Sequence, residues 1–285
     1  MSKIPTIQYK TGFDVKPSSI NQIGTVTFTD GTNEITPNQL QCEAYGYTYN
    51  KVTRTCSAFK YNRNLDRNIS NITNKINGAG NTTFTDTDNT YIIGENNTVR
   101  GASRNNIVVG NNNEIANDVN NAFVYGTLGE ATADNSIVLG GNAPADLLAE
   151  RQSIQLLYGT QSTTSGTVAS YLNNTAANFF EIPENTAMYF HGDVLALRVG
   201  GSSGSGAVGD FASWVVRGVI INKSGTLSIS TERDAIKSSG TVTNWRPTAV
   251  ASATHFGINV RGQTDMTLEW SSTINFTQIK TSVAL

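Results

Sequence analysis

Histidine and cysteine are scarce in this sequence, with two of each in 285 residues. A structural zinc site draws its four ligands from clusters of such residues, so conventional zinc chemistry is excluded at the outset. Charge is thin as well, at 15% of residues against the roughly 25% usual in globular chains. The 20 Lys and Arg against 22 Asp and Glu leave a net charge of −2. A balance so near neutrality excludes a phosphate-neutralising surface as the main business of the protein. Long apolar runs are missing too. The greasiest, from Trp214 to Ile221, is broken by Arg217 and falls far short of the roughly 20 residues of a membrane span. Met1–Lys10 has no apolar stretch of signal-peptide type, so no secretory leader is expected. What fills the chain instead is neutral polarity: 32 Asn, 36 Thr and 26 Gly. Thr favours strands, while Asn and Gly supply the positive-φ corners that join them. The expected fold class is mainly β. In so Asn- and Thr-rich a chain, glycosylation triplets such as those at Asn68, Asn71 and Asn81 are compositional.

Residues 1–57 open with a polar arm, followed by a Thr/Val/Phe strand over 24–29 and a tight turn at Asp30-Gly31. Cys42 and Cys56 are equidistant from Tyr49, so a hairpin turning near Asn50 would set them opposite one another. Two readings compete: a disulfide closing a loop of about 15 residues, or two reduced thiols. A disulfide would imply a protein that ends up outside a reducing cytoplasm. In residues 58–80, Leu65, Ile69, Ile72 and Ile76 fall at spacings of 4, 3 and 4. That pattern predicts a short coiled coil, and Ile at both core positions favours trimers or tetramers. An ordinary amphipathic helix packed on its own domain is the competing reading.

Residues 81–145 carry a repeat. Asn89-Thr-Tyr-Ile-Ile-Gly94 returns as Asn105-Asn-Ile-Val-Val-Gly110, Asn121-Ala-Phe-Val-Tyr-Gly126 and Asn135-Ser-Ile-Val-Leu-Gly140. Weaker half-copies lie between them: Asn97-Thr-Val99, Asn113-Glu-Ile115 and Ala131-Thr-Ala133. A period of about 15 residues with two short strands per turn predicts a β-solenoid or β-roll. With two or three apolar side chains per rung, one chain alone would make a poor core, and three winding together would make a better one.

The Asn-Ser-Ile-Val-Leu-Gly element at this spacing resembles the β-roll head of trimeric autotransporter adhesins, a repeat also found in bacteriophage fibres. Residues 146–157, with Leu147-Leu-Ala-Glu-Arg-Gln152, are read as a neck. Over 158–285, period-2 strands separated by Gly/Ser turns predict a β-sandwich of jelly-roll type. The segments at 154–161, 180–185 and 215–222 resemble the C-terminal knob of phage fibre proteins. Together these resemblances imply a structural fibre protein of a phage virion. It would be homotrimeric, with Leu65, Ile69, Ile72 and Ile76 on the axis, assembled in the host cytoplasm and anchored to other virion proteins through residues 1–57. Its knob would contact a host-surface glycan or protein, with no nucleic acid and no membrane insertion. A collar, decoration or adaptor protein that binds only other virion proteins is the alternative, and a glycan-cleaving tailspike a further one.

Catalytic chemistry finds little footing. His191 and His255 sit in no nucleophile–base signature, and Gly200–Gly206 follows a strand but precedes no helix. Asp134, Glu181, Glu184 and Asp193 cannot be paired by any argument from spacing, although glycan cleavage needs paired carboxylates. The expectation is no enzyme, no metal and no cofactor. For recognition, the loops 200–206 and 238–246 are candidates, with Trp245 and Arg246 as speculative receptor contacts. Trp245 in the core is the competing reading, as for Trp214 and Trp270 inside strand patterns.

Overall fold

The computed structural model describes residues 15–21, 24–51, 53–58, 74–202, 206–239, 242 and 244–285. The chain divides into two compact units, residues 1–70 and 71–285.

In the first unit, β1 (Lys16–Ile20), β2 (Thr25–Thr29), β3 (Glu34–Ile35), β4 (Thr48–Asn50) and β5 (Thr55–Ser57) form one antiparallel sheet in the order β1-β2-β5-β4, with β3 also on β2. The turn after β2 forms as expected: Asp30 accepts from the N–H groups of Thr32 and Asn33 at 2.8 and 2.7 Å, and those bonds hold its carboxyl below the usual range. A short helix, α1 (Gln39–Ala44), starts on an Asn38/Gln41 capping box. Cys42 and Cys56 are bonded, with Cα atoms 5.7 Å apart. The hairpin does not set them opposite one another, however. Cys56 pairs with Tyr49 across β4 and β5, and Cys42 reaches it from α1. The bond ties helix to sheet beside Phe28, whose ring meets Tyr45 and Tyr47 edge-on.

The second unit begins as a parallel β-solenoid of about four turns. One face stacks β6 (Lys75–Asn77), β8 (Tyr91–Glu95), β10 (Ile107–Asn111), β12 (Phe123–Thr127) and β14 (Ile137–Gly141). The other stacks β7 (Thr82–Thr83), β9 (Thr98–Val99), β11 (Glu114–Ile115) and β13 (Glu130–Ala131). The register is the sequence repeat itself: Ile92, Val108, Val124 and Val138 pair in line and are buried. Val99, Ile115 and Ala131 oppose them on the second face. The repeat glycine is compelled by close approach: a Cβ on Gly110, which has φ +126°, would lie 1.9 Å from the Gly126 carbonyl oxygen.

Two expectations are corrected here. Ile76 lies in strand β6, paired with Ile92 and packed against the solenoid core, not on a helix. Leu65, Ile69 and Ile72 lie outside the described residues. The third half-copy is Gly129-Glu-Ala131, since Glu130 and Ala131 pair with Glu114 and Ile115.

The expected neck at 146–157 is not a separate element. β15 (Arg151–Ser162) runs antiparallel to β14 and carries the same sheet onward through β23 (Thr267–Lys280), β18 (Thr186–Gly200), β19 (Phe211–Lys223) and β20 (Thr226–Ser238). Alternating burial along β15, β18 and β23 gives one inward, apolar face and one outward face. A smaller layer of β16 (Thr167–Leu172), β17 (Phe180–Glu181), β21 (Arg246–Ser252) and β22 (His255–Arg261) covers the inward face. Phe256 of β22 packs there on Phe190, Phe276 and Tyr158 with ring centroids 4.9–6.0 Å apart. Trp214 and Trp270 stack in the same core at 5.7 Å, as their strand positions predict.

Candidate functional site

The outward face of the long sheet is apolar on its solenoid strands and mixed beyond them, where Leu157, Tyr189, Leu195 and Val219 are exposed among polar residues. On β8, β10, β12 and β14 the first and third residues are large and apolar and lie on the outward side: Tyr91, Ile107, Phe123 and Ile137 are exposed in one row, Tyr125 and Leu139 in the next, where Ile93 and Val109 are half-buried. Tyr125 is 53% and Leu139 51% exposed. The first row continues by strand pairing from Ile137 to Gln155, Asn275, His191, Arg217 and Glu232. Beyond β14 it is polar, and it ends in an ion-pair cluster in which Arg217 reaches Glu232 at 3.2 Å and Asp234 at 3.0 Å. An apolar face this regular marks an interaction surface.

Where the two regions meet lies a groove of about 490 Å³ whose lining includes Asn135, Leu157, Gly159, Asn173, Asn174 and Ser271. Three features of the sequence build it. Asn135 holds the left-handed conformation at the start of the last solenoid repeat, with φ 53°. Asn173 and Asn174 follow β16 in the same conformation, φ 55° and 54°, which Asn tolerates better than other side chains. Gly159 lets the turn come close, since a Cβ there would stand 3.2 Å from that of Asn174. The Asn173 amide donates to the Asp134 carbonyl at 2.9 Å and pins the turn to the solenoid. A smaller hollow of about 310 Å³ on the same face, lined by Asp193, Leu195, Ser213 and Ile236 among others, shares Ser271 with this groove.

A carboxylate pair appears that sequence reasoning missed. Glu114 and Glu130 are directly paired on adjacent rungs, and their equal offset within the half-copies was the signal. Arg100 engages Glu114 through a charge-assisted hydrogen bond, and Lys280 stands 3.7 Å from Glu130. Burial pushes the Glu130 carboxyl above the usual range, against the pull of Lys280.

The expected recognition residues separate. Trp245 is 4% exposed and belongs to the core, which corrects its assignment as a receptor contact, whereas Arg246 is exposed at the start of β21. The two histidines lie apart in role: His255 stacks on Phe179 at 4.5 Å, and His191 lies on the outward face opposite Arg217. Asp134 accepts the Asn120 N–H at 2.7 Å, a structural use.

Fold and surface together define a mainly β protein with a β-solenoid of about four turns and, among the described residues, almost no helix. No protein-family model matches the chain, and no curated protein matches it in sequence. Among solved structures it is similar to phage tailspikes. One is the tailspike protein of Acinetobacter baumannii phage AM24, at 9% identity and a TM-score of 0.30 over 75% of this chain and 51% of that one. Another is tailspike protein gp49 of Acinetobacter baumannii bacteriophage Fri1, a capsular polysaccharide depolymerase, at 7% identity and a TM-score of 0.27 over 74% and 48%. The chain spans about half the length of these tailspikes. A depolymerase among the neighbours conflicts with the reading of this chain as a non-enzyme, and that reading is withdrawn. At such TM-scores the likeness carries no activity over to this chain.

Proposed function

We propose that the chain is a host-contacting structural component of a phage virion. It acts as a homotrimer held to other virion proteins through its first unit, with the C-terminal part of the second unit toward the host surface. The observation that carries this reading is the outward face of the solenoid. Four in-register rungs direct six large apolar side chains into solvent, one from each of β8 and β10 and two from each of β12 and β14, a surface that a soluble monomer would not sustain but copies of the same chain would cover. The repeat that builds this face is the one resembling phage fibres and trimeric adhesins, and the disulfide suits a protein exposed outside the cell.

The reading is tested by competition. The purified full chain, added to host cells before the phage, should occupy the surface and reduce adsorption of the particle in a dose-dependent way. Adsorption unaffected at saturating protein would show that the chain faces other virion proteins only.

A further inference from the structure

We infer that the groove between the last solenoid rung and the β16 turn is a binding site for a neutral oligosaccharide, an inference that rests on the host-contacting reading above. Its volume of about 490 Å³ falls within the range of small-ligand clefts. Among the described residues no charged side chain lines it. A groove without cations offers nothing to hold a phosphate, sulfate or carboxylate, so an acidic ligand would be desolvated without compensation. What lines it is the pairing a pyranose requires. The amides of Asn135 and Asn174 and the Ser271 hydroxyl donate and accept at once, as sugar hydroxyls do. Leu157, 48% exposed, offers an apolar surface to the C–H face of a ring. The side-chain amides of Asn135 and Asn174 make no hydrogen bond within the described residues, whereas Asn173 spends its own on the Asp134 carbonyl. One Asn fixes the turn, and two are left facing the groove. The left-handed backbone at all three positions holds them without strain, so the site is formed before a ligand arrives.

The test uses the full chain on an array of immobilised neutral and acidic oligosaccharides, with two variants. In N135G/N174G the amides are removed while glycine keeps the left-handed backbone. In S271W an exposed strand position fills the groove without touching the core. The wild type should bind neutral oligosaccharides, N135G/N174G should lose about tenfold or more in affinity, the scale of two hydrogen bonds, and S271W should not bind. Unchanged binding in both variants, or binding confined to acidic oligosaccharides, overturns the inference. If the wild type competes for adsorption yet binds no neutral oligosaccharide, the groove assignment fails and the host-contacting reading stands. If it does neither, both fail.

Discussion

The Oδ1 atom of Asn97 accepts two hydrogen bonds from Asn113 one rung away, from its backbone N–H at 3.0 Å and its side-chain amide at 3.1 Å. Asn97 makes the same two bonds to Asn81 on the preceding rung, both at 3.0 Å. Each amide also donates to a repeat glycine: Asn81 to Gly94, Asn97 to Gly110 and Asn113 to Gly126, at 2.7–2.9 Å. The interior of the solenoid is therefore part apolar and part amide ladder, and the ladder satisfies the backbone groups that the glycine corners expose.

Breaking that ladder should cost more than its apolar content suggests. Asn113→Leu would strip the buried Gly129 N–H of its side-chain acceptor and the Gly126 carbonyl of its amide donor, and would reduce the donors that Asn113 offers the Asn97 Oδ1 to the backbone N–H alone. The expected loss is about 3 kcal/mol, read from chemical denaturation. A loss below about 1 kcal/mol would show that the ladder is incidental to stability.

Glu130 should give stability an unusual slope with pH. Its carboxyl is raised above the ordinary value of 4.5, chiefly by burial and secondarily by Glu114, with Lys280 and Arg100 pulling the other way. The folded state therefore holds this proton more tightly than the unfolded state does. Its contribution is fully present below the unfolded value and is lost as pH rises through the folded one. Glu130→Gln should remove that slope, so that the variant gains on the wild type as pH rises above the ordinary value of 4.5. A variant that instead falls behind as pH rises would show that the Lys280 attraction outweighs desolvation.

Reduction should act on one unit alone. Cys42 and Cys56 are 14 residues apart, a loop whose closure is worth about 3 kcal/mol in the chain-entropy account. Hydrogen exchange under reducing conditions should accelerate in β2, β4 and β5 and stay unchanged in β10 and β12. Uniform acceleration in both units would mean that the two do not fold independently.

Much of this fold can be read from the repeat, because a parallel solenoid writes its register directly into residue spacing. Ile76 shows where such reading fails. Its spacing to Ile72 and Ile69 fits a heptad, yet it also stands 16 residues before Ile92, and the structure follows the second period. A four-residue pattern is compatible with several structures, whereas a rung needs the whole ladder. The disulfide partners were legible, but their geometry was not, because α1 rests on a capping box within a segment of little periodicity. Trp245 follows a Gly/Ser/Thr run of surface composition and still turns inward, where its large apolar surface joins the core of the second unit. The neutral groove had no linear signature: Asn135, Asn174 and Ser271 are brought together by the separate antiparallel pairings of β14, β16 and β23 with β15.

The most direct test of the account is the mass of the full chain in solution at micromolar concentration, by sedimentation equilibrium or light scattering. The account predicts a species of about three times the 30.5 kDa chain mass. It also predicts that charging the outward face in Tyr125→Lys/Leu139→Lys yields a folded protein that has lost this assembly, because both side chains lie in solvent within the single chain. A wild-type protein that sediments as a compact, stable monomer with its apolar rows exposed would contradict it.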